Sequence, residues 1–143
     1  MKKALGYCLS GETGMDDMFL LYGATARNWK GTTMESVLRS LGEYGKNADP
    51  SLLSTKFGVQ SSGGPSEEIA RLAGSRFVNI SEPEKKITLD AALTKRLTGN
   101  DTITARYLHE NSFEFRPNFK VFINTNHLPN IKDLTLVESG RIK

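Results

Sequence analysis

The stretch Met18-Phe19-Leu20-Leu21-Tyr22-Gly23-Ala24-Thr25-Ala26-Arg27-Asn28-Trp29-Lys30-Gly31-Thr32-Thr33 decides the fold. An apolar, strand-like run gives way at Gly23 to a loop. From about Thr32 a helical pattern follows, with Met34, Val37, Leu38 and Leu41 on one face and Gly42 as its stop. A strand, a glycine-started loop and a helix in that order bring backbone N–H groups to a helix start. There they can cradle a phosphate chain while a lysine reaches the outer phosphates. Gly23, Asn28, Lys30, Gly31 and Thr32 are the candidate binding residues. The spacing departs from the usual form. Five residues separate Gly23 from the Trp29-Lys30 pair, where about four are usual and glycine precedes the lysine. Gly31 stands where a hydroxyl would hold Mg²⁺, so Thr32 or Thr33 is the nearest substitute.

The chain has 143 residues, 38% hydrophobic and 24% charged, which suits one soluble domain with its own core. No run approaches the ~20 apolar residues of a membrane span. The first residues, Met1 to Tyr7, hold two lysines but no apolar core of a signal peptide. Cys8 is the single cysteine, which excludes a disulfide framework and a cysteine metal site. His109 and His127 have no partners at metal-ligand spacing. An intracellular chain is the default expectation. A net charge of +3 permits a polyanionic partner without requiring one.

Apolar runs alternate with helical patterns along the chain, predicting an α/β layer fold with a mostly parallel sheet. Strands are expected at Met18–Tyr22, around Leu52 and Leu53, at Phe77–Ile80 and at Phe119–Asn124. Ser66 is expected to cap a short helix to about Ala73, and Thr88 a helix carrying Leu89, Ala92, Leu93 and Leu97 that stops at Gly99. Thr102 to Tyr107 and Phe113 to Phe115 read as a hairpin. Ser139 to Lys143 reads as the beginning of a further strand.

Three strand ends carry polar chemistry, on the side where open α/β sheets bind ligands. The first leads into the lysine loop. The second leads into Glu82-Pro83-Glu84, and either acid could serve a metal or the attacking water. The third leads into Asn126, which could sense a phosphate or position that water. In the hairpin region Lys95, Arg106, Arg116 and Lys120 interleave with Tyr107, Phe113 and Phe115. That mixture suits single-stranded nucleic acid, although Phe113 and Phe115 flank Glu114 and also fit the buried side of a strand.

These features together resemble the helicase domain of phage and plasmid primase-helicases, in superfamily three of the AAA+-like NTPases. The resemblance runs over nearly the whole chain. It is carried by Leu21-Tyr22-Gly23 through Lys30-Gly31-Thr32, Glu67-Glu68-Ile69-Ala70-Arg71-Leu72-Ala73-Gly74 and Ser81-Glu82-Pro83-Glu84. Leu97-Thr98-Gly99-Asn100-Asp101, Ile103-Thr104-Ala105-Arg106 and Asn124-Thr125-Asn126-His127-Leu128-Pro129 complete it. The resemblance implies a three-layer P-loop core with a β-hairpin insertion at about 100–117. The domain would fill residues 1–143 and be truncated near its C-terminal end. Lys30 then resembles the Walker A lysine, Glu82 the Walker B acid with Glu84 beside it, Asn126 the sensor, and Arg141 an arginine finger acting on a neighbouring subunit.

The implied cofactors are ATP and Mg²⁺, the latter held through Thr32 and Glu82. The implied partners are single-stranded DNA and five further copies in a hexameric ring, with no membrane. The implied setting is the cytoplasm of a bacterial host, in a phage- or plasmid-encoded protein. Trp29 and Gly31 mark the departure from that family, where glycine precedes the lysine so that backbone can approach phosphate. They leave a second reading open, a prophage-type remnant that keeps the fold without binding ATP. A small nucleotide kinase is a third, but it lacks a recognisable acceptor site.

Overall fold

The computed structural model describes residues 1–23, 29–54, 67–81 and 87–143. Its centre is a four-stranded, all-parallel sheet. The strands are β1 (Met18–Tyr22), β2 (Gly45–Ala48), β3 (Phe77–Ser81) and β6 (Lys120–Thr125), ordered β1-β6-β3-β2. All six residues of β6 are buried. A parallel strand with neighbours on both sides and helices on both faces has no solvent side, which is why Val121-Phe122-Ile123 reads as an unbroken apolar run. The free side of β1 is taken by the end of the chain. Met18 N donates to Arg141 O at 2.7 Å, Leu20 N to Lys143 O at 2.8 Å, and Lys143 N to Met18 O at 2.9 Å. Residues 141–143 thus run parallel to β1, while Ser139 and Gly140, expected in the same strand, form the turn before them.

Two helical layers enclose the sheet. On one face α1 (Lys2–Ser10) and α2 (Lys30–Leu41) pack Cys8 and Met34 against Phe77 and Phe122, with Phe19 stacked on Phe122 at 4.7 Å. On the other face α3 (Glu67–Ala70) and α4 (Ala91–Thr98) bury Ile69, Ala70, Leu93 and Leu97 against Val78, Ile80, Val121 and Ile123. A hairpin of β4 (Ile103–Ala105) and β5 (Phe113–Phe115) joins the same core, pairing antiparallel from Ile103 opposite Phe115 to Ala105 opposite Phe113. A last short helix, α5 (Thr135–Glu138), buries Leu136.

Several local expectations change. Leu52 and Leu53 lie in a 3₁₀ turn, Pro50–Leu53, capped by Asp49, whose carboxylate accepts from Ser51 N. The neighbouring strand is instead β2, Gly-Lys-Asn-Ala, whose residues have little strand preference and are held by their register with β3. The helix expected to begin at Thr88 begins at Ala91, with Asp90 as its cap accepting from Leu93 N at 2.9 Å. Thr88 and Leu89 are drawn into isolated bridges with Asn130 and Ser54. Ser66, the expected cap of α3, lies outside the described residues.

Candidate functional site

The site is built where β1 and β6 end together. Pairing continues one step past Tyr22, with Gly23 N donating to Thr125 O at 3.3 Å. At the tip of β6 the Thr125 hydroxyl donates to His127 O at 2.7 Å and accepts from His127 N at 2.9 Å. This local turn folds the chain back and fixes Asn126 at its corner. Across the gap, α2 begins at Lys30, its first turn closed by Thr33 N donating to Trp29 O at 2.9 Å.

Lys30 joins the strand tips. Its ammonium donates to Gly23 O at 3.0 Å, to Thr125 O at 2.7 Å and to the Asn126 side-chain oxygen at 2.8 Å. A lysine has three protons, and all three are engaged. A phosphate oxygen arriving here must therefore displace one acceptor. Of the three, only the Asn126 amide can swing away without moving backbone. The arrangement can thus present a positive charge and a polar amide to the same anion.

Trp29, the departure noted in the sequence, precedes Lys30 directly. Trp29 has φ 61° and ψ −6°, the left-handed region that favours glycine, and its indole is 79% exposed. Residue 29 thus keeps a glycine-like backbone and leaves its ring in solvent. Gly31 and Thr32 lie exposed in the first turn of α2, and a Cβ added at Gly31 would meet nothing within 4 Å. Asn28, Glu82 and Glu84 lie outside the described residues; β3 ends at Ser81, opposite Asn124 of β6. Among the described residues no three His, Cys, Asp or Glu side chains stand together as a metal site. That is compatible with Mg²⁺, which commonly arrives on substrate phosphates and needs only one or two protein oxygens.

The other anticipated residues lie apart from this corner. Arg141 stands at the opposite end of β1. Its guanidinium donates to the Thr98 hydroxyl at 2.6 Å and to Asp16 at 3.2 Å, and its Nε is buried with no partner among the described residues. Lys120 is 3% exposed at the start of β6, donating to Met15 O at 3.0 Å and lying 4.8 Å from the centre of the Tyr7 ring. Burial holds its pKa below the usual lysine value, while Cys8, Asp16 and Asp17 act the other way. A lysine so enclosed is unavailable to a nucleic-acid backbone.

Lys95 donates to Asp133 at 3.1 Å and to the Thr135 hydroxyl at 2.8 Å. The Thr135 hydroxyl, and then Lys95, hold the Asp133 carboxyl down at about 2. Arg116 is exposed just after β5, and Arg106 is half-buried just after β4. Tyr107, Phe113 and Phe115 stack in a row with centroids 5.8 and 6.0 Å apart and pack against the core. The Tyr107 hydroxyl donates to Ala70 O at 3.1 Å. These rings serve the inner side of the hairpin, the alternative that Glu114 between Phe113 and Phe115 had signalled.

No protein-family model matches the chain. Two viral proteins do. The chain is 38% identical over 128 residues to "Putative helicase L207/L206" of Acanthamoeba polyphaga mimivirus, and 31% identical over 132 residues to "Putative helicase 022R" of Frog virus 3. Each match covers 90% of this chain and 13% of the viral protein. The chain is therefore related to a short portion of proteins that carry helicase names and come from large DNA viruses. No helix among the described residues is long and apolar enough to cross a membrane.

Proposed function

We propose that the chain is the nucleotide-handling portion of a superfamily-three, primase-helicase-type DNA helicase with a P-loop NTPase core of the AAA+ kind. The observation that carries this reading is the Lys30 ammonium, seated between the tips of β1 and β6 and bonded to Asn126. The strand order supports it. The lysine-loop strand lies beside the asparagine strand, and the strand leading to Glu82 follows next. The helicase names of the two viral relatives support it independently.

In this reading Lys30 holds the outer phosphates of ATP and the first turn of α2 offers N–H groups to them. Asn126, released from Lys30, contacts the terminal phosphate or the attacking water. Glu82, with Glu84 beside it, takes the role of the acid. Mg²⁺, held through Thr32 and Glu82, would neutralise phosphate charge. Lys95, Arg106 and Arg116 form the DNA-facing set, without Lys120. Arg141 can act as a finger toward a neighbouring copy only after releasing Thr98 and Asp16.

The test is titration with a fluorescent ATP analogue and Mg²⁺. Binding by the natural chain that disappears in Lys30→Ala supports the reading. Undiminished binding in Lys30→Ala refutes the assignment of Lys30.

The second reading, a remnant that keeps the fold and its DNA or ring contacts without binding ATP, is favoured by Trp29 and by the missing hydroxyl at Gly31. Binding that emerges only in Trp29→Gly would establish it.

A further inference from the structure

We propose that Trp29 is a stacking platform for the base of the nucleotide whose phosphates Lys30 would hold, and that the ligand class is a purine nucleoside triphosphate. The proposal rests on the nucleotide-site reading above and adds a residue that reading treats only as an obstacle.

Trp29 is the single tryptophan of the chain, and at 79% exposed it is the most exposed large apolar side chain among the described residues. Its φ of 61° lies in a region that residues with a Cβ seldom enter, so the position gives up both burial and backbone comfort. Glycine would supply the same backbone path, including the Thr33 N–Trp29 O bond that starts α2, at lower cost. What glycine lacks is a ring. Strain of this kind, kept at the rim of a binding corner, points to a role for the side chain.

The placement suits a base. Trp29 immediately precedes Lys30, whose ammonium lies at the strand tips, and the indole projects into solvent rather than into the core. Tyr22, 49% exposed, closes β1 on the other side of the loop, so aromatic residues flank residues 23–28 in the sequence. The phosphates of a bound nucleotide would lie at Lys30 and its base several bonds further out, where the exposed indole of the adjacent residue could meet it. Flat π surfaces stack offset on one another, and a purine offers the larger face.

The experiment uses the whole 143-residue chain, in which tryptophan emission reports Trp29 alone. Emission is followed during titration with Mg²⁺ and ATP, with Mg²⁺ and tripolyphosphate, and with an oligothymidylate. Affinities for ATP and tripolyphosphate are measured by calorimetry in the natural chain, Trp29→Phe, Trp29→Ala and Lys30→Ala. ATP is expected to quench the emission and tripolyphosphate to leave it unchanged. Loss of a stacked base weakens ATP binding in Trp29→Ala by roughly five- to a hundredfold, with Phe restoring most of it and tripolyphosphate affinity unchanged.

Equal ATP affinity in the natural chain and Trp29→Ala, with Lys30→Ala still weakening both ligands, would overturn the platform and leave the phosphate site standing. Absence of binding by either ligand would overturn both. Quenching by the oligonucleotide but not by ATP would assign the ring to DNA and overturn the nucleotide proposal. Should Trp29→Ala fail to fold, the contrast between ATP and tripolyphosphate on the natural chain still decides.

Discussion

Replacing Lys30 with methionine keeps the length of the side chain and removes its three donations, which span 2.7 to 3.0 Å. A hydrogen bond from a charged donor contributes about 1.5–3 kcal/mol when fully buried. Lys30 is only half-buried, so about 1 kcal/mol apiece is the better figure, or ~3 kcal/mol together. The acceptors sharpen the effect, because Thr125 is 1% exposed and its carbonyl would keep only the long bond from Gly23 N. For a domain of this size that loss corresponds to a fall in melting temperature of about 10 °C. Thermal unfolding followed by circular dichroism, without nucleotide, is the assay. A Lys30→Met melting point within about 2 °C of the natural chain would refute the reasoning. It would mean that the ammonium is effectively solvated and the strand tips are not tied through it.

Gly31 offers the opposite kind of change. It lies inside α2 with open space around its Cα, so Gly31→Ala should raise stability by about 0.5–1 kcal/mol. Gly31→Ser adds a hydroxyl beside Lys30 and should strengthen the Mg²⁺ dependence of nucleotide binding, which calorimetry with and without the metal would read.

Cys8, 2% exposed, has its thiol pushed up from 9.0 to about 12 by burial. The folded chain therefore keeps a proton that the unfolded chain releases, and stability falls as pH rises from 9.0 toward about 12. The depressed pKa of Lys120 acts in the opposite sense, adding stability as pH rises from its folded value toward 10.5. Cys8→Ala should remove the first effect and expose the second in urea titrations at successive pH values. For single-stranded DNA, Arg116→Ala should reduce the slope of log affinity against log salt by about 0.7, and Lys120→Met should leave that slope unchanged.

The elements around the candidate site were the most legible. β1, α2 and β6 have strong apolar periodicity or unbroken apolar runs, and Gly42 at φ 55° ends α2 where expected. Lys30 and Asn126 could be picked out because each follows such an element directly. β2 could not, since Gly45-Lys46-Asn47-Ala48 is a strand only by virtue of its partner. α1 was also missed, because its packing residues Ala4, Leu5 and Cys8 are interrupted by Gly6 and lysines. Lys120 illustrates a different limit. Charge in a sequence says nothing about a ring and a carbonyl that will enclose it, and Tyr7 and Met15 lie more than a hundred residues away. The bonds of Lys30 to Gly23, Thr125 and Asn126 had no sequence signal beyond the presence of a lysine in the loop.

The three residues that run beside β1 also shield its backbone. Without Arg141–Lys143, the amides of Met18 and Leu20 and the carbonyl of Met18 would face solvent as a bare strand edge. Such an edge is a template onto which another copy can add in register. A few residues of backbone pairing thereby cover the edge of the strand that leads into the lysine loop.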